Sequence, residues 1–221
     1  MSGRWAIVAV LAGGRGSRLG GGKAVAALAG RALISYPLSA ARDAGLETVV
    51  IAKPSSRLPS LAGRVRYEPE LPEHPLCGVV RALEYARDRG ATAVVLLACD
   101  MPFVTAELLR WLAGHDGPAT VELHGRAQPA LSRVPARELP ELREALSEGR
   151  SFSAAIAALA PRVLDETELS AFGAPEELCF NVNSAEDLER AELLLAGRAR
   201  EPQGELVGRS GRQTRAGGDP A

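Results

Sequence analysis

The segment from Leu11 to Lys23 has a composition suited to binding phosphate. It contains six glycines and three cationic side chains, those of Arg15, Arg18 and Lys23. Glycine lets backbone N–H groups turn toward an anion at close range, and the cations balance the charge of a triphosphate. Because the segment follows an apolar run, Trp5–Leu11, phosphate binding is favoured over a flexible loop with solvated cations. The sequence therefore predicts a loop that binds the phosphates of a nucleoside triphosphate.

Two common phosphate-binding motifs do not match this segment. The P-loop pattern G-x-x-x-x-G-K-[ST] fails because its first glycine is Ser17 and because Ala24 follows Lys23. The dinucleotide pattern G-x-G-x-x-G fails because Leu19 stands at the third glycine. The second predicted strand also ends at Lys53, without the acid that binds a ribose. Both a P-loop NTPase and an NAD-dependent dehydrogenase are therefore disfavoured.

A carboxylate stands directly after the strongest strand-like run of the chain. Asp100 follows Ala93–Ala98 and Cys99, and Pro102 restricts Met101 to an extended conformation. A carboxylate at the carboxyl end of a central strand lies where ligands bind, and with substrate phosphates it can hold Mg²⁺. The alternative is an aspartate that only forms a turn or caps a helix. The position favours a magnesium-binding role for Asp100.

The size and charge of the chain limit the classes of function. Its 221 residues suit one α/β domain with a sizeable core, and 46% hydrophobic and 24% charged residues are ordinary for a globular protein. The formal net charge is -1. Because nucleic-acid backbones usually require a basic protein face, we expect no nucleic-acid partner.

The amino terminus and the cysteines indicate a cytoplasmic location. The apolar run Ala6–Ala12 is too short to cross a bilayer and lacks the features of a secretory signal, so no membrane association is expected. Cys77, Cys99 and Cys179 are far apart and show no C-x-x-C spacing. We therefore expect buried, reduced cysteines rather than disulfides or a zinc site.

Apolar runs alternate with amphipathic segments along the first half of the chain. After the first strand, further strands are predicted at Thr48–Ala52, Val65–Tyr67 and Ala93–Ala98, and helices at Leu33–Ala44, Leu76–Arg89 and Ala106–Ala113. Short joins between such elements are typical of parallel strands with right-handed crossovers. The expected fold is α/β, a Rossmann-like, doubly wound, mostly parallel sheet that binds ligands at the carboxyl ends of its strands.

The second half of the chain is less regular. A hairpin is predicted around His124–Arg126, and helices at Leu139–Ser147 and Ser153–Leu159. Ser184, with an acid at the capping-box position, is expected to begin a last helix that ends at about Ala196. Residues 1–196 would then form a single domain. Residues 197–221, which lack apolar periodicity, would form a disordered tail with no assigned function.

Four segments resemble the signatures of the molybdenum cofactor guanylyltransferases, within the broader MobA-like NTP transferase group. They are Leu11–Gly14 with Arg18–Gly20 and Lys23–Ala24, then Pro75–Gly78, Cys99–Phe103 and Phe180–Leu188. The resemblance covers about residues 6 to 196 and implies a nucleotidyltransferase domain with the nucleotide-diphospho-sugar transferase type of fold. It also implies Mg²⁺-dependent transfer of GMP from GTP to molybdopterin, with release of pyrophosphate. Molybdoenzymes and cofactor-biosynthesis proteins are further partners to consider.

The resemblance implies a nucleotide site made of Leu11, Ala12, Gly13, Gly14, Lys23, Glu68 and Asp100. Lys23 would bind phosphate, Asp100 would hold Mg²⁺, and Glu68 would occupy the position of a family aspartate near the nucleotide. Lys23, Arg18 and Asp100 are the expected catalytic residues, since this chemistry chiefly requires positioning and charge neutralisation. Asn181 and Asn183 would line the acceptor side, and the alternative for both is turn-forming hydrogen bonding.

The chain departs from the family pattern near the nucleotide. Gly22 stands where an acid usually precedes the loop lysine, Leu19 replaces a methionine, and His74 and Cys77 change the G-P-L-A-G segment. Two alternatives stay open on these grounds. One is a related nucleotidyltransferase that uses CTP or another phosphorylated acceptor. The other is a non-catalytic nucleotide-binding partner protein, which the missing acid at Gly22 would favour.

Overall fold

The structure, a computed structural model, describes residues 5–14, 22–61 and 64–200. Its strands are β1 (Ala6–Leu11), β2 (Ala27–Leu28), β3 (Arg31–Ala32), β4 (Thr48–Ala52), β5 (Arg64–Tyr67), β6 (Ala93–Ala98), β7 (Ala119–Leu123), β8 (Arg126–Pro135) and β9 (Arg162–Leu164). Its α-helices are α1 (Ser35–Asp43), α2 (Pro75–Arg89), α3 (Ala106–Gly114), α4 (Leu139–Ser147), α5 (Phe152–Ala158), α6 (Glu166–Leu169), α7 (Pro175–Leu178) and α8 (Ala185–Arg200). The predicted catalytic residue Arg18 and residues 201–221 of the predicted tail lie outside the described residues.

The central sheet contains seven strands of the described ranges, in the order β5-β4-β1-β6-β8-β7-β9. Strands β5, β4, β1 and β6 run parallel to one another, whereas β8 is antiparallel to both β6 and β7. The predicted doubly wound, mostly parallel α/β sheet is confirmed. Leu11 pairs with both Ile51 and Ala98, so β1, β4 and β6 end level with one another. This common edge is where the fold can hold a ligand.

Different helices cover the two faces of the sheet. On β1, Val8 and Val10 pack in the layer that contains residues of α1 and α3, whereas Ile7 and Ala9 pack with residues of α2 and α4. All four side chains are fully buried, which explains why β1 is a continuous apolar run rather than an alternating one. Burying a branched side chain such as Ile7 stabilises the fold by about 1.5–3 kcal/mol.

The helices of the first half end where the sequence signals predict. Gly45 and Gly90 follow α1 and α2 with φ angles of 73° and 75°, a left-handed conformation that glycine adopts at little cost. Helix α1 begins at Ser35 rather than at the predicted Leu33, because Leu33 and Ile34 form a buried turn after β3. None of the described helices is long and apolar enough to cross a bilayer.

The second half confirms the predicted hairpin and helices, and both halves contain short elements that were not predicted. These are the hairpin of β2 and β3 in the first half, and strand β9 and helices α6 and α7 in the second. Two to four residues are too few to show a period. Helix α8 runs to Arg200, past its predicted end at about Ala196. Gly197, the first residue after the predicted end, lies inside the helix, where glycine costs only about 0.5–1 kcal/mol relative to alanine.

Ser184 and Asp187 begin α8 by capping each other. Ser184 Oγ accepts a hydrogen bond from Asp187 N at 3.1 Å, and Asp187 Oδ2 accepts from Ser184 N at 2.9 Å and from Asn183 N at 2.8 Å. Burial raises the pKa of Asp187, but these hydrogen bonds and the charge of Arg190 together hold that pKa below its ordinary value. The predicted capping box is thus formed, and it also orients the backbone of Asn183.

We expect Asp187→Ala to lower the free energy of unfolding by about 1 kcal/mol at pH 7, because a helix cap is lost. Since the folded-state pKa of Asp187 is lowered, its contribution is present above the unfolded-state pKa and is lost as pH falls through the folded value. Urea denaturation at neutral and acidic pH measures both effects. Glu186→Ala, an exposed change in the same turn, is the control; a loss at pH 7 no larger than the control's would contradict the capping role.

Candidate functional site

The carboxyl ends of the parallel strands gather the predicted nucleotide-site residues at one edge of the sheet. Just past the strands, Cys99 N donates to Leu11 O at 3.1 Å and Glu68 N donates to Ala52 O at 2.9 Å. These bonds extend the ladder by one residue and fix the backbone from which each site side chain projects. The segments at Leu11–Gly14, Glu68 and Asp100, which are far apart in sequence, therefore lie at the same edge.

Lys23, Asp100 and Asn183 form a polar cluster at this edge. Lys23 Nζ lies 2.7 Å from Asp100 Oδ2 and 2.5 Å from Asn183 Oδ1. The side chains of Lys23 and Asp100 are 22% and 10% exposed, so water screens their ion pair only in part. Val182 N donates to Asp100 O at 2.9 Å, which ties the segment before α8 to the end of β6. The loop lysine and the strand-end carboxylate, predicted from separate motifs, are in direct contact.

The two asparagines predicted for the acceptor side differ in their contacts. Asn181 Nδ2 donates to Cys179 O at 2.8 Å, and Asn183 Nδ2 donates to Asn181 O at 3.3 Å, so the turn-forming hydrogen bonds are made. Asn183 also accepts from Lys23 through its Oδ1. Asn183 is therefore part of the polar cluster, whereas the side chain of Asn181 hydrogen-bonds, among the described residues, only within its own turn. The acceptor role of both stays a prediction.

A cavity of about 270 Å³ lies at the same edge, with Leu11, Ile51, Gly13, Gly78 and Glu68 among its lining residues. Glu68 is 7% exposed, and its Oε1 would lie 1.7 Å from a Cβ placed on Gly13, so any side chain at position 13 would displace the Glu68 carboxylate. Burial raises the pKa of Glu68; the nearby charge of Lys53 lowers it and that of Glu70 raises it further. The cavity thus combines apolar walls with one buried carboxylate, as ligand cavities commonly do.

A second cavity, of about 170 Å³, adjoins the first and shares Gly13, Gly14, Lys53 and Glu73 with it. Lys53 Nζ donates to Glu70 O at 2.8 Å, and Ser56 Oγ donates to Ala12 O at 3.1 Å. The sequence-based site did not include Lys53 or Ser56. A signal for Lys53 was present, because it directly follows a parallel strand, as Asp100 nearly does.

Asp100 is the residue whose surroundings fit a divalent cation. Its Oδ2 accepts from Lys23, while Oδ1 receives no hydrogen bond from the described residues. No cluster of three or more His, Cys, Asp or Glu side chains suited to a metal occurs in the ranges that the structure covers. Mg²⁺ is usually bound by one or two carboxylates together with substrate phosphates. The donor set therefore fits a cation shared with a nucleotide rather than a closed protein site.

The three cysteines are structural. Cys77, Cys99 and Cys179 are free and buried, as the sequence predicts. Burial raises the pKa of Cys99 to about 12 and that of Cys179 to about 11, and it also raises the pKa of Cys77. Since the thiolate is the reactive form, none of them is suited to act as a nucleophile near neutral pH.

Comparison with known sequences identifies relatives over most of the chain. The model of the MobA-like NTP transferase domain matches residues 8–163. The molybdenum cofactor guanylyltransferase of Cereibacter sphaeroides is 34% identical over 190 residues, which are 84% of this chain and 95% of that protein. The protein of the same name from Pseudomonas entomophila is 33% identical over 184 residues, 77% of this chain and 95% of its own length.

Solved structures show the same fold. Molybdopterin-guanine dinucleotide biosynthesis protein A from Archaeoglobus fulgidus superposes with a TM-score of 0.71 at 27% identity, covering 86% of this chain and 99% of that one. The 2-C-methyl-D-erythritol 4-phosphate cytidylyltransferase from Thermus thermophilus reaches a TM-score of 0.63 at 20% identity, over 87% of this chain and 99% of that chain. The second likeness supports the fold alone, which is that of nucleotidyltransferases.

Proposed function

Because this chain belongs to the MobA-like NTP transferase domain family, we propose that it transfers GMP from GTP to molybdopterin and releases pyrophosphate. The alignments cover 95% of each named relative, so the similarity to these nucleotidyltransferases is not confined to one motif. The single observation that supports the chemistry is the Lys23–Asp100 contact of 2.7 Å at the edge where the strands end. The cytoplasm, with its reducing conditions and supply of GTP, is the compartment that this reaction and three buried thiols favour.

The reaction forms one P–O bond and breaks another. A phosphate oxygen of the acceptor attacks the α-phosphorus of the nucleotide, and the bond to the β-phosphate oxygen breaks, so that pyrophosphate leaves with its electron pair. A phosphate nucleophile is already ionised near neutral pH and requires no general base. The protein therefore acts by positioning the two phosphates and by neutralising their charge.

Each residue of the polar cluster has a defined part in this proposal. Lys23 donates to a phosphate oxygen of the nucleotide, and Asn183 holds the Lys23 ammonium from the side of α8. Asp100 would hold Mg²⁺, which supplies Lewis-acid stabilisation of the charge on the phosphates. Because Asp100 and Asn183 approach Lys23 from different segments, the lysine is fixed before the nucleotide binds, which lowers the cost of reorganisation.

Glu68 is proposed to read the base. The Watson–Crick edge of guanine presents two neighbouring donors, N1–H and the N2 amino group, whereas adenine and cytosine present an acceptor next to an amino group. A carboxylate offers only acceptors, so it matches guanine alone among the common bases. The absence of a side chain at Gly13 and Gly78 leaves space for Glu68 in the cavity wall. This chemistry favours GTP over the CTP alternative.

We expect Glu68→Gln to lower kcat/KM for GTP by about 30-fold, since a charge-assisted hydrogen bond contributes on the order of 1.5–3 kcal/mol. Its amide nitrogen would face a donor of the base. The ratio of kcat/KM for GTP to that for ITP, which lacks the N2 amino group, should fall as well. Steady-state kinetics with both nucleotides measure this. Glu107→Gln, exposed on α3, is the control; an unchanged GTP/ITP ratio would contradict base recognition by Glu68.

Glu68→Gln should also be more stable than the wild type at alkaline pH. Burial raises the pKa of Glu68, so between the unfolded-state and folded-state pKa values the folded protein keeps a proton that the unfolded chain has released. Stability therefore falls as pH rises through the folded-state value and stays lower above it, where Glu68 is a buried carboxylate. Glu68→Gln removes this penalty. Its Tm should exceed that of the wild type at pH 8, and the difference should vanish in acid, where the wild-type carboxyl is protonated in both states.

A panel of nucleotides tests the proposed function. The full-length protein is incubated with molybdopterin, Mg²⁺ and each of GTP, CTP, ATP and UTP, and pyrophosphate release and product mass are measured. We expect release with GTP and a product heavier than molybdopterin by one GMP unit. Consumption of CTP would establish a related transferase instead, and release with another phosphorylated acceptor would change the acceptor. Nucleotide binding without release of pyrophosphate would favour a non-catalytic nucleotide-binding partner protein, the alternative that Gly22 leaves open.

A further inference from the structure

The smaller of the two cavities is lined by a cation that forms no ion pair with a described residue. This cation is Arg57, and the other charged residues of the lining are Lys23, Lys53, Glu70 and Glu73. Lys23 is paired with Asp100, and the carboxylate of Glu70 is held by the backbone N and the Oγ of Ser55. Arg57 makes no hydrogen bond or ion pair within the part of the chain that the structure describes, and its side chain is exposed toward the cavity.

The stem of Arg57 packs against Gly22. A Cβ placed on Gly22 would lie 3.4 Å from Cβ of Arg57, 3.7 Å from its Cδ and 2.8 Å from Cγ2 of Val25. A side chain at position 22 would therefore meet both neighbours, and an acidic one would stand next to the guanidinium. With glycine there, no side chain at position 22 contacts Arg57, and its charge lines the same cavity as the loop lysine, Lys23.

We infer that Arg57 binds the β- and γ-phosphates of the nucleotide, the part that leaves as pyrophosphate. The base cavity contains Glu68 and Gly78, whereas the cavity of Arg57 contains Lys23 and lacks both of those residues. A nucleotide that spans the two cavities, with its base beside Glu68, would place its terminal phosphates at the arginine. The planar guanidinium presents a fork of donors that matches two phosphate oxygens at once. This inference rests on the proposed function, and it adds a phosphate-binding residue to it.

Calorimetric titration of the full-length protein tests the role of Arg57. The probes are GTP, GMP and inorganic pyrophosphate, each with Mg²⁺. Arg57→Ala is expected to lower the affinity for GTP and for pyrophosphate about 10-fold, the low end for a charge-assisted hydrogen bond to phosphate. Its affinity for GMP should be unchanged. Arg57→Lys should retain part of the affinity. Arg42→Ala, which removes an exposed arginine of α1, is the matched control and should bind all three probes as the wild type does.

Substitutions at position 22 give a second, independent test of the role of Arg57. Gly22→Asp places a carboxylate beside Arg57 and should lower the affinity for pyrophosphate to the same extent as Arg57→Ala does. Gly22→Ala makes the same contact with Val25 without the charge, so it separates steric from electrostatic effects. In the double variant Gly22→Asp/Arg57→Ala, the loss should be smaller than the product of the two single losses, because both act on one charge.

The outcomes separate this inference from the proposed function. Equal pyrophosphate affinity in the wild type and Arg57→Ala overturns the inference, as does a loss that is equally large for GMP. If the wild type releases no pyrophosphate from GTP and molybdopterin while Arg57→Ala still loses affinity for pyrophosphate, the proposed function fails and the phosphate-binding role stands. If turnover is observed and Arg57→Ala binds and turns over as the wild type does, only the inference fails.

Discussion

Asp100→Asn is expected to lower kcat/KM for nucleotidyl transfer by about 1,000-fold, which corresponds to about 4 kcal/mol of transition-state stabilisation. The amide keeps the shape of the side chain but loses its charge, so it is a poor ligand for Mg²⁺ and a weaker partner for Lys23. Because Asp100 Oδ2 is the acceptor at 2.7 Å from Lys23 Nζ, the lysine should also lose its fixed position. Pyrophosphate release as a function of Mg²⁺ concentration measures both effects.

The Mg²⁺ dependence distinguishes a metal ligand from a residue that only orients Lys23. A ligand predicts that Asp100→Asn raises the concentration of Mg²⁺ needed for half-maximal activity, whereas an orienting role predicts a lower rate at an unchanged Mg²⁺ requirement. Asp43→Asn, an exposed change on α1, is the control for a loss of one negative charge. Wild-type turnover in Asp100→Asn would refute the metal assignment altogether.

Much of the site could be predicted from the sequence because strand ends are visible in it. A buried parallel strand shows as a continuous apolar run, and the residue that follows it must lie at the ligand edge of the sheet. This logic places Gly13 and Asp100 correctly, and it would have placed Lys53 as well. Helix ends were equally readable, since Gly45 and Gly90 occupy left-handed positions that few other residues tolerate.

The contacts between distant segments could not be read in the same way. Asn183 is 160 residues from Lys23, and the hydrogen bond between them depends on how α8 docks beside the end of β6. The burial of Glu68 likewise depends on two glycines, Gly13 and Gly78, that come from different segments. Local patterns carry no information on such approaches, because they arise from packing of the whole domain rather than from propensity.

Lys23, which Asn183 and Asp100 hold in place, is the second residue whose substitution should strongly lower activity. We expect Lys23→Met to lower kcat/KM for GTP by about 100-fold, the lower range for removing one preorganised donor from a developing charge. Methionine retains the length of the stem without the ammonium. Arg87→Met, which removes an exposed cation from α2, is the control for net charge. A value of kcat/KM within a factor of two of the control would contradict phosphate binding by Lys23.

The chain's only lysines are Lys23 and Lys53, so chemical labelling of amines reports directly whether Lys23 contacts the nucleotide. Amine acetylation followed by mass spectrometry should show that GTP with Mg²⁺ protects Lys23, and that Asp100→Asn weakens this protection. The double variant Lys23→Met/Asp100→Asn should lose much less than the product of the two single losses, because residues that act as a unit are not additive. Multiplicative losses would instead mean that the lysine and the carboxylate serve the reaction separately, despite their ion pair.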